Sequence, residues 1–381
     1  MTIFLLIFLI LLFIYFFLID FYRRSWNKVP ENEIDEAADV KVSVIIAVRN
    51  EEKNVLPLVS FLENQQYPRH LFEVIFVDDH STDNTFGILS LDKKPGFSVL
   101  QLSEATTSKK KAIEWGIKSA TGELIITTDA DCRMGPLWLS AYASFYKKTG
   151  AKFIAAPVMM EAHNSFRDIF QSLDFLAMQA ITGASVYKHF HTMCNGANLA
   201  YEKQAFLDVN GFEGIDEIPS GDDMLLMHKI YSAHPDKVMY MKNKEAIVIT
   251  HPESSWKNFI HQRIRWASKA VHYKDKRIFY VLLLTYLLNV CYLVLAVAAI
   301  IKLKWLTFLL LFLVAKILIE FPFVNAAAIY FGQQRMMKFF PFLQPVHILY
   351  VIISGWLGRF GSYEWKSRTI KNKGSGNLVK Q

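Results

Sequence analysis

The sequence predicts an α/β domain, a mostly parallel sheet with helices on both faces, carried between transmembrane helices. Three observations predict it. Short apolar runs alternate with helical stretches from Val42 to Thr128, the pattern of buried parallel strands and their crossover helices. Long runs of Ile, Leu and Phe stand at the two ends of a chain that is 52% apolar. Carboxylates close two of the strand-like runs, at Asp78-Asp79 and at Asp129-Ala130-Asp131, and open α/β sheets bind ligands beyond their strand ends.

Taken in order, residues 3–19 are almost wholly Ile, Leu and Phe, long enough to span a bilayer. No basic residue precedes them and no small-residue cleavage site follows, so residues 1–22 are expected to be a retained anchor. Arg23, Arg24 and Lys28 come next, and the positive-inside rule puts residue 25 onward in the cytoplasm. Residues 23–40, polar and holding Pro30, read as a linker to a globular domain over 41–255.

Within that domain, Val42–Val48 is a buried strand, and a helix runs from Glu51 to about Asn64. Phe72–Val77 is a second strand, and Ser81-Thr82-Asp83 supplies caps for a helix to Leu91. Phe97–Leu102 is a third strand. Lys109–Ala120 is a helix with Ala112, Ile113, Gly116, Ile117 and Ala120 on one face. Leu124–Thr128 then leads to the acidic pair. Further on, one strand is expected over 152–158, a helix over 166–184 and a turn-rich loop over 193–198. Gly221-Asp222-Asp223 opens the helix 224–232, and two short strands fill 238–250.

Residues 256–275 read as a basic, amphipathic interface helix. Membrane-like sequence resumes over 276–360, with spans at 278–301 and 305–331 and a weaker stretch at 339–358. Pro341, Gln344, Pro345, His347 and Ser354 make that last stretch a poor spanning composition, so it is expected to be re-entrant or interfacial. The basic tail 361–381 is then cytoplasmic. Lys316 and Glu320, at i and i+4 inside a span, should face protein or water and satisfy one another, as a structural pair or as part of a transport path.

The net charge of +7 suits an anionic membrane surface, and no recognisable nucleic-acid motif accompanies it. Cys132, Cys194 and Cys291 are odd in number and widely spaced, which argues against a disulfide framework or a zinc site.

The residues able to do chemistry sit at these strand ends and helix starts. Asp129 and Asp131, at i and i+2 of an extended chain, project to one side, an arrangement that suits a hard divalent cation with substrate phosphates as further ligands. Asp79 can accept from a ribose hydroxyl or a base N–H, or serve as a cap. Lys109 and Lys110 can neutralise a diphosphate, or be a solvated face. Asp223 lies in the first turn of a helix, where the dipole favours negative charge, and is a candidate general base. Gln262, Arg265 and Trp266 fall at i, i+3 and i+4 of a helix and form one face.

These strings, in this order and between membrane segments, resemble the membrane-bound family-2 glycosyltransferases with the GT-A fold, in the QxxRW branch that includes cellulose and hyaluronan synthases and ceramide glucosyltransferases. The resemblance runs from Val42 to Trp266. It implies donor contacts by Asn50, Glu51, Asp79, Lys109 or Lys110, and Asp129, with Mg²⁺ or Mn²⁺ on Asp129 and Asp131 as the DxD motif. It implies a sugar and acceptor loop at Gly196-Ala197-Asn198, Asp223 as base, and Gln262, Arg265 and Trp266 as the QxxRW motif.

Two features depart from the family pattern. Its Glu-Asp pair reads Asp222-Asp223 here, and the membrane part is small for a polymer channel. The expected activity is inverting transfer from a nucleoside-diphosphate sugar, a UDP-sugar first, to a lipid-linked or membrane-embedded acceptor at a bacterial cell membrane. A processive polysaccharide synthase is the alternative within the class, and an inactive membrane scaffold is the alternative outside it.

Overall fold

The computed structural model describes residues 2–379 except 36–37, 93, 104–106, 162–164, 217, 219–220, 270–274, 361, 366–367 and 372–377. They form two compact units, one of Val29–Glu161 with Ser185–His251, the other of Met1–Lys28, Ala162–Ala184 and Pro252–Gln381. The first helix, α1 (Thr2–Lys28), belongs to the second unit.

The α/β unit begins with β1 (Val42–Val48), α2 (Val55–Glu63), β2 (Phe72–Asp78), α3 (Thr85–Leu91), β3 (Phe97–Gln101), α4 (Lys109–Ser119) and β4 (Leu124–Thr127). These four strands are parallel in the order β3-β2-β1-β4. The chain moves outward from β1 to β3 and then returns to the other side of β1. The reversal between β1 and β4 is a topological switch point, where such sheets leave a crevice. Six of the seven β1 residues are buried, the signature of a strand covered on both faces. One of those covers is α4, and it comes close. A Cβ at Gly116 would lie 2.5 Å from Ile45 Cγ2, so only glycine allows this approach.

The unit continues through β5 (Arg133–Met134), α5 (Trp138–Thr149), β6 (Phe153–Ala155) and β7 (Val158–Met160). After α6 (Phe166–Tyr187) come β8 (Leu199–Glu202), α7 (Lys203–Asp208), α8 (Asp222–Ala233), β9 (Val238–Tyr240) and β10 (Val248–Thr250). Strand β8 runs antiparallel to both β4 and β6, and β9 parallel to β6, which completes a seven-stranded sheet. A smaller sheet has the order β5-β10-β7. The single strand expected over 152–158 is therefore two, because Ala156-Pro157 carries the chain from one sheet to the other. Helix α2 starts at Val55, later than expected, since Glu51–Asn54 closes a turn in which Asn54 N donates to Glu51 O at 2.8 Å.

The second unit adds α9 (Trp256–Ser268), α10 (Lys276–Ile301), α11 (Lys304–Tyr330) and α12 (Phe340–Phe360). Among the described residues four helices, Thr2–Lys28, Lys276–Ile301, Lys304–Tyr330 and Gln334–Phe360, are long and apolar enough to cross a membrane. Phe8 of α1 stacks on Phe312 of α11 at 4.3 Å and meets Tyr292 of α10 edge-on at 4.8 Å. Beneath them Lys316 is fully buried and donates to Glu320 Oε1 at 2.5 Å and to Gln344 Oε1 at 2.6 Å. Tyr15 and Gln344 donate to the two oxygens of Glu320, at 2.5 and 2.8 Å.

The stretch expected to be re-entrant or interfacial is one continuous helix, α12. Its polar residues find partners inside the protein: Gln344 in the Lys316 network, Ser354 on the Tyr350 carbonyl at 2.7 Å. A composition poor for lipid is suitable for a helix that faces other helices. Of the expected basic tail, Lys366 and Lys373 lie outside the described residues. The backbone of Ser362–Trp365, Arg368–Lys371 and Leu378–Val379 pairs as a three-stranded antiparallel sheet.

Candidate active site

At the switch point the turns after β1 and β2 are laced together. Asn50 Oδ1 accepts from Thr82 N at 2.7 Å, and the amides of Asn50 and Glu51 donate to Ser81 Oγ and Thr85 Oγ1 at 3.0 and 2.7 Å. Asn50, expected at the donor, thus braces one turn against the other. Asp78 is buried and caps the Ser81 amide. Asp79 accepts from Thr107 Oγ1 at 2.8 Å, lies 3.2 Å from His80 Nδ1 and pairs with Arg49 at 3.6 Å. Its carboxylate is held in one orientation at the end of the sheet.

The second cluster forms where β4 ends, β8 begins and α4 and α8 start. Thr127 sits opposite Leu199 across the antiparallel pair, so Asp129 and the Gly196-Ala197 loop leave the sheet at the same end. Thr128 Oγ1 ties them, donating to Ala197 O at 2.8 Å. Lys109, in the first turn of α4, donates to Asp129 Oδ1 at 2.6 Å and lies 3.7 Å from Asp222 Oδ2. Asp223 Oδ2 accepts from Gly196 N at 2.9 Å, and its Oδ1 accepts from Met224 N at 2.8 Å. A Cβ at Gly196 would lie 3.4 Å from both Asp223 Oδ2 and Lys109 Nζ, so the loop backbone passes directly over the charges. Burial works against the Lys109 charge, but the carboxylates of Asp129, Asp222 and Asp223 outweigh it and raise the amine above its ordinary range. Burial first, then repulsion from Asp129 and Glu51, pushes Asp131 up to about 6.

That crowding of negative charge bears on whether a divalent cation fits. Among the described residues no three His, Cys, Asp or Glu side chains gather closely enough to hold a metal ion. The donor set available is two carboxylates, Asp129 and Asp131. It fits Mg²⁺ or Mn²⁺ only with further oxygen ligands from a diphosphate and water, the way Mg²⁺ is usually held in phosphate-handling sites.

Two expected site residues do other work. Lys110 is 4% exposed and donates to the carbonyls of Ile218, at 2.7 Å, and Ile215, so it anchors the chain before α8. Neighbours on a helix point roughly 100° apart, and it is Lys109 that reaches Asp129 and Asp222. Asn198 is fully buried: Oδ1 accepts from Trp138 Nε1 and Tyr142 OH at 3.0 and 2.8 Å, and Nδ2 donates to Pro157 O and Ala246 O at 2.8 and 2.7 Å. With every hydrogen-bonding position used, it fixes the start of β8 and has nothing left for an acceptor.

Gln262, Arg265 and Trp266 lie on α9 in the helical unit. Gln262 Nε2 donates to Glu253 Oε1 at 2.9 Å. The residue that sequence reasoning passed over is Arg263. It is 4% exposed, donates to Asp174 Oδ2 at 2.7 Å, and lies over the rings of Phe259 and Trp266 at 4.7 and 4.2 Å. Tyr350 of α12 donates to the other Asp174 oxygen at 2.5 Å. The signal was present: Trp256, Phe259, Ile260, Arg263 and Ile264 follow the i, i+3, i+4, i+7, i+8 spacing of an apolar stripe. A buried arginine there requires a carboxylate.

Comparison with known proteins bears on the family and the fold. Residues 43–208 match the protein-family model described as "Glycosyl transferase family 2". The chain is 26% identical over 219 residues to the Staphylococcus aureus poly(ribitol-phosphate) beta-N-acetylglucosaminyltransferase TarS, covering 54% of this chain and 36% of TarS. It is 36% identical over 96 residues to the beta-monoglucosyldiacylglycerol synthase of a Nostoc species, covering 24% of this chain and 20% of that protein. The chain thus spans well under half the length of both relatives. Among solved structures it is similar to the Pyrobaculum calidifontis mannosyltransferase PcManGT in complex with GDP-Man and Mn²⁺, with a TM-score of 0.60 and 17% identity over 94% of this chain and 97% of that one. Residues 43–208 thus match the glycosyltransferase family 2 domain, in a chain whose fold is GT-A-like.

Proposed function

We propose that the protein is a membrane-anchored, inverting glycosyltransferase that moves a sugar from a nucleoside-diphosphate sugar to a lipid-linked or membrane-embedded acceptor at the cytoplasmic face. The observation that carries this reading is the meeting of Lys109, Asp129, Asp222, Asp223 and the Gly196 amide at the switch-point end of the sheet, with Lys109 2.6 Å from Asp129 and Gly196 2.9 Å from Asp223. Asp79 holds the nucleoside, a UDP-sugar being the first donor to try. Asp129 and Asp131 would hold Mg²⁺ or Mn²⁺, which would supply charge neutralisation for the departing diphosphate.

Asp223 takes the proton from the acceptor hydroxyl. That oxygen forms the new bond to the anomeric carbon as the bond to the diphosphate breaks, which inverts the centre. The Gly196 and Met224 amides keep the Asp223 carboxylate aimed. Gln262, oriented by Glu253, stands with Arg265 and Trp266 on the helix that resembles the QxxRW motif. One relative is named for making a glucosyl-diacylglycerol and another for glycosylating poly(ribitol-phosphate), so lipid and polymer acceptors both belong in the test. The second reading is a processive synthase. The test uses the full chain in detergent with co-purified lipid and a panel of labelled nucleotide sugars. Label in one small lipid-extractable product supports single transfer, a ladder of long products supports the synthase, and turnover of no nucleotide sugar overturns both.

A further inference from the structure

We infer that Lys109 competes with the divalent cation for Asp129 in the donor-free protein, so that metal is taken up only together with the nucleotide diphosphate that draws Lys109 away. This rests on the proposed function and adds an order of events to it.

Three features of the site support the exchange. The Lys109 ammonium is 2.6 Å from Asp129 Oδ1 and 3.7 Å from Asp222 Oδ2, so a cationic group already sits on the carboxylate that a metal would use. Among the described residues, the protein offers no third His, Cys, Asp or Glu ligand at this point, so on its own it is a weak competitor for a dication against its own lysine. Finally, the pair is able to open. The Lys109 and Asp129 side chains are 28% and 40% exposed, and lysine is a point charge on a flexible four-carbon stem. Gly196 borders the ammonium without a side chain of its own. A diphosphate reverses the balance, because it brings oxygen ligands for the metal and a new anionic partner for Lys109.

The experiment reads free Mn²⁺ by electron paramagnetic resonance as it is titrated into the full chain in detergent, with and without UDP. Without UDP, Lys109→Met is expected to bind Mn²⁺ at least about tenfold tighter than the unaltered protein, the size of one lost charge-assisted bond. Lys109→Arg, which keeps the competing charge, should stay as weak as the unaltered protein. With UDP the order should reverse, since Lys109 then holds phosphate. Equal Mn²⁺ affinity for Lys109→Met and the unaltered protein without UDP overturns the inference, as does Lys109→Arg binding as tightly as Lys109→Met. Asp129→Asn separates this from the broader reading. If it abolishes UDP-dependent Mn²⁺ binding, the metal assignment stands even where the exchange fails; if it does not, both fall.

Discussion

Lysine meets acid in two places in this protein, and the settings are opposite. In the helical unit Lys316 is fully buried, and both oxygens of Glu320 are matched by donors from Lys316, Tyr15 and Gln344. In the α/β unit Lys109 and Asp129 are partly open to solvent, Asp222 and Asp223 crowd the same amine, and Asp131 is pushed up to about 6. A closed network with matched donors and acceptors locks helices together. An open one with surplus negative charge is the setting that the proposed cation and diphosphate would need. Residue type alone does not separate the two; satisfaction and exposure do.

The comparison can be broken most sharply at Asp129 and Asp131. Changing either to Asn should abolish turnover and donor-dependent Mn²⁺ binding in calorimetry, with the thermal unfolding midpoint nearly unmoved; unchanged binding and rate would remove the metal assignment. Next in size, Asp223→Asn should cut turnover by about 10²–10⁴-fold while leaving UDP binding nearly intact, the range for losing a general base. Asp222→Asn should do less, and a larger loss there would make Asp222 the base. On the closed side, Lys316→Met should cost about 3–5 kcal/mol of stability because it strands a buried carboxylate, read as a lower midpoint in detergent with the rate per folded molecule unchanged. Tyr15→Phe removes a single donor and should cost only about 0.6–1.7 kcal/mol. Should Lys316→Met lower the turnover of folded protein as much as Asp223→Asn, the closed network would be functional and the contrast would fail.

Much of this was legible because the sheet is parallel and covered. Its strands read as continuous apolar runs, and the chemistry lies at their ends, where Asp79, Asp129 and Asp131 stand out. What escaped was short or all-round buried. Strand β8 has four residues after a loop, so it shows no period. Helix α5 buries eight of its twelve residues, and Trp138, Ser140, Tyr142 and Ser144 do not sort into two faces. Within the site, adjacency misled. Lys109 and Lys110 are neighbours in sequence and part company on the helix, while Arg263 hid between Gln262 and Arg265. Asn198 belongs to the loop by sequence and to the core by its hydrogen bonds.

That last residue makes the loop modular. Trp138, Tyr142, Pro157 and Ala246 grip Asn198 from α5 and from the chain leading into β7 and β10. The phase of β8 is therefore set at Asn198 itself, whatever precedes it. Changes of length over 188–190 are expected to leave the register of β8 in place, whereas His191 and Thr192 are buried and bonded to Ser185 and His228. An exchange of that segment between relatives would be a graft onto a fixed post, with the sheet keeping its pairing.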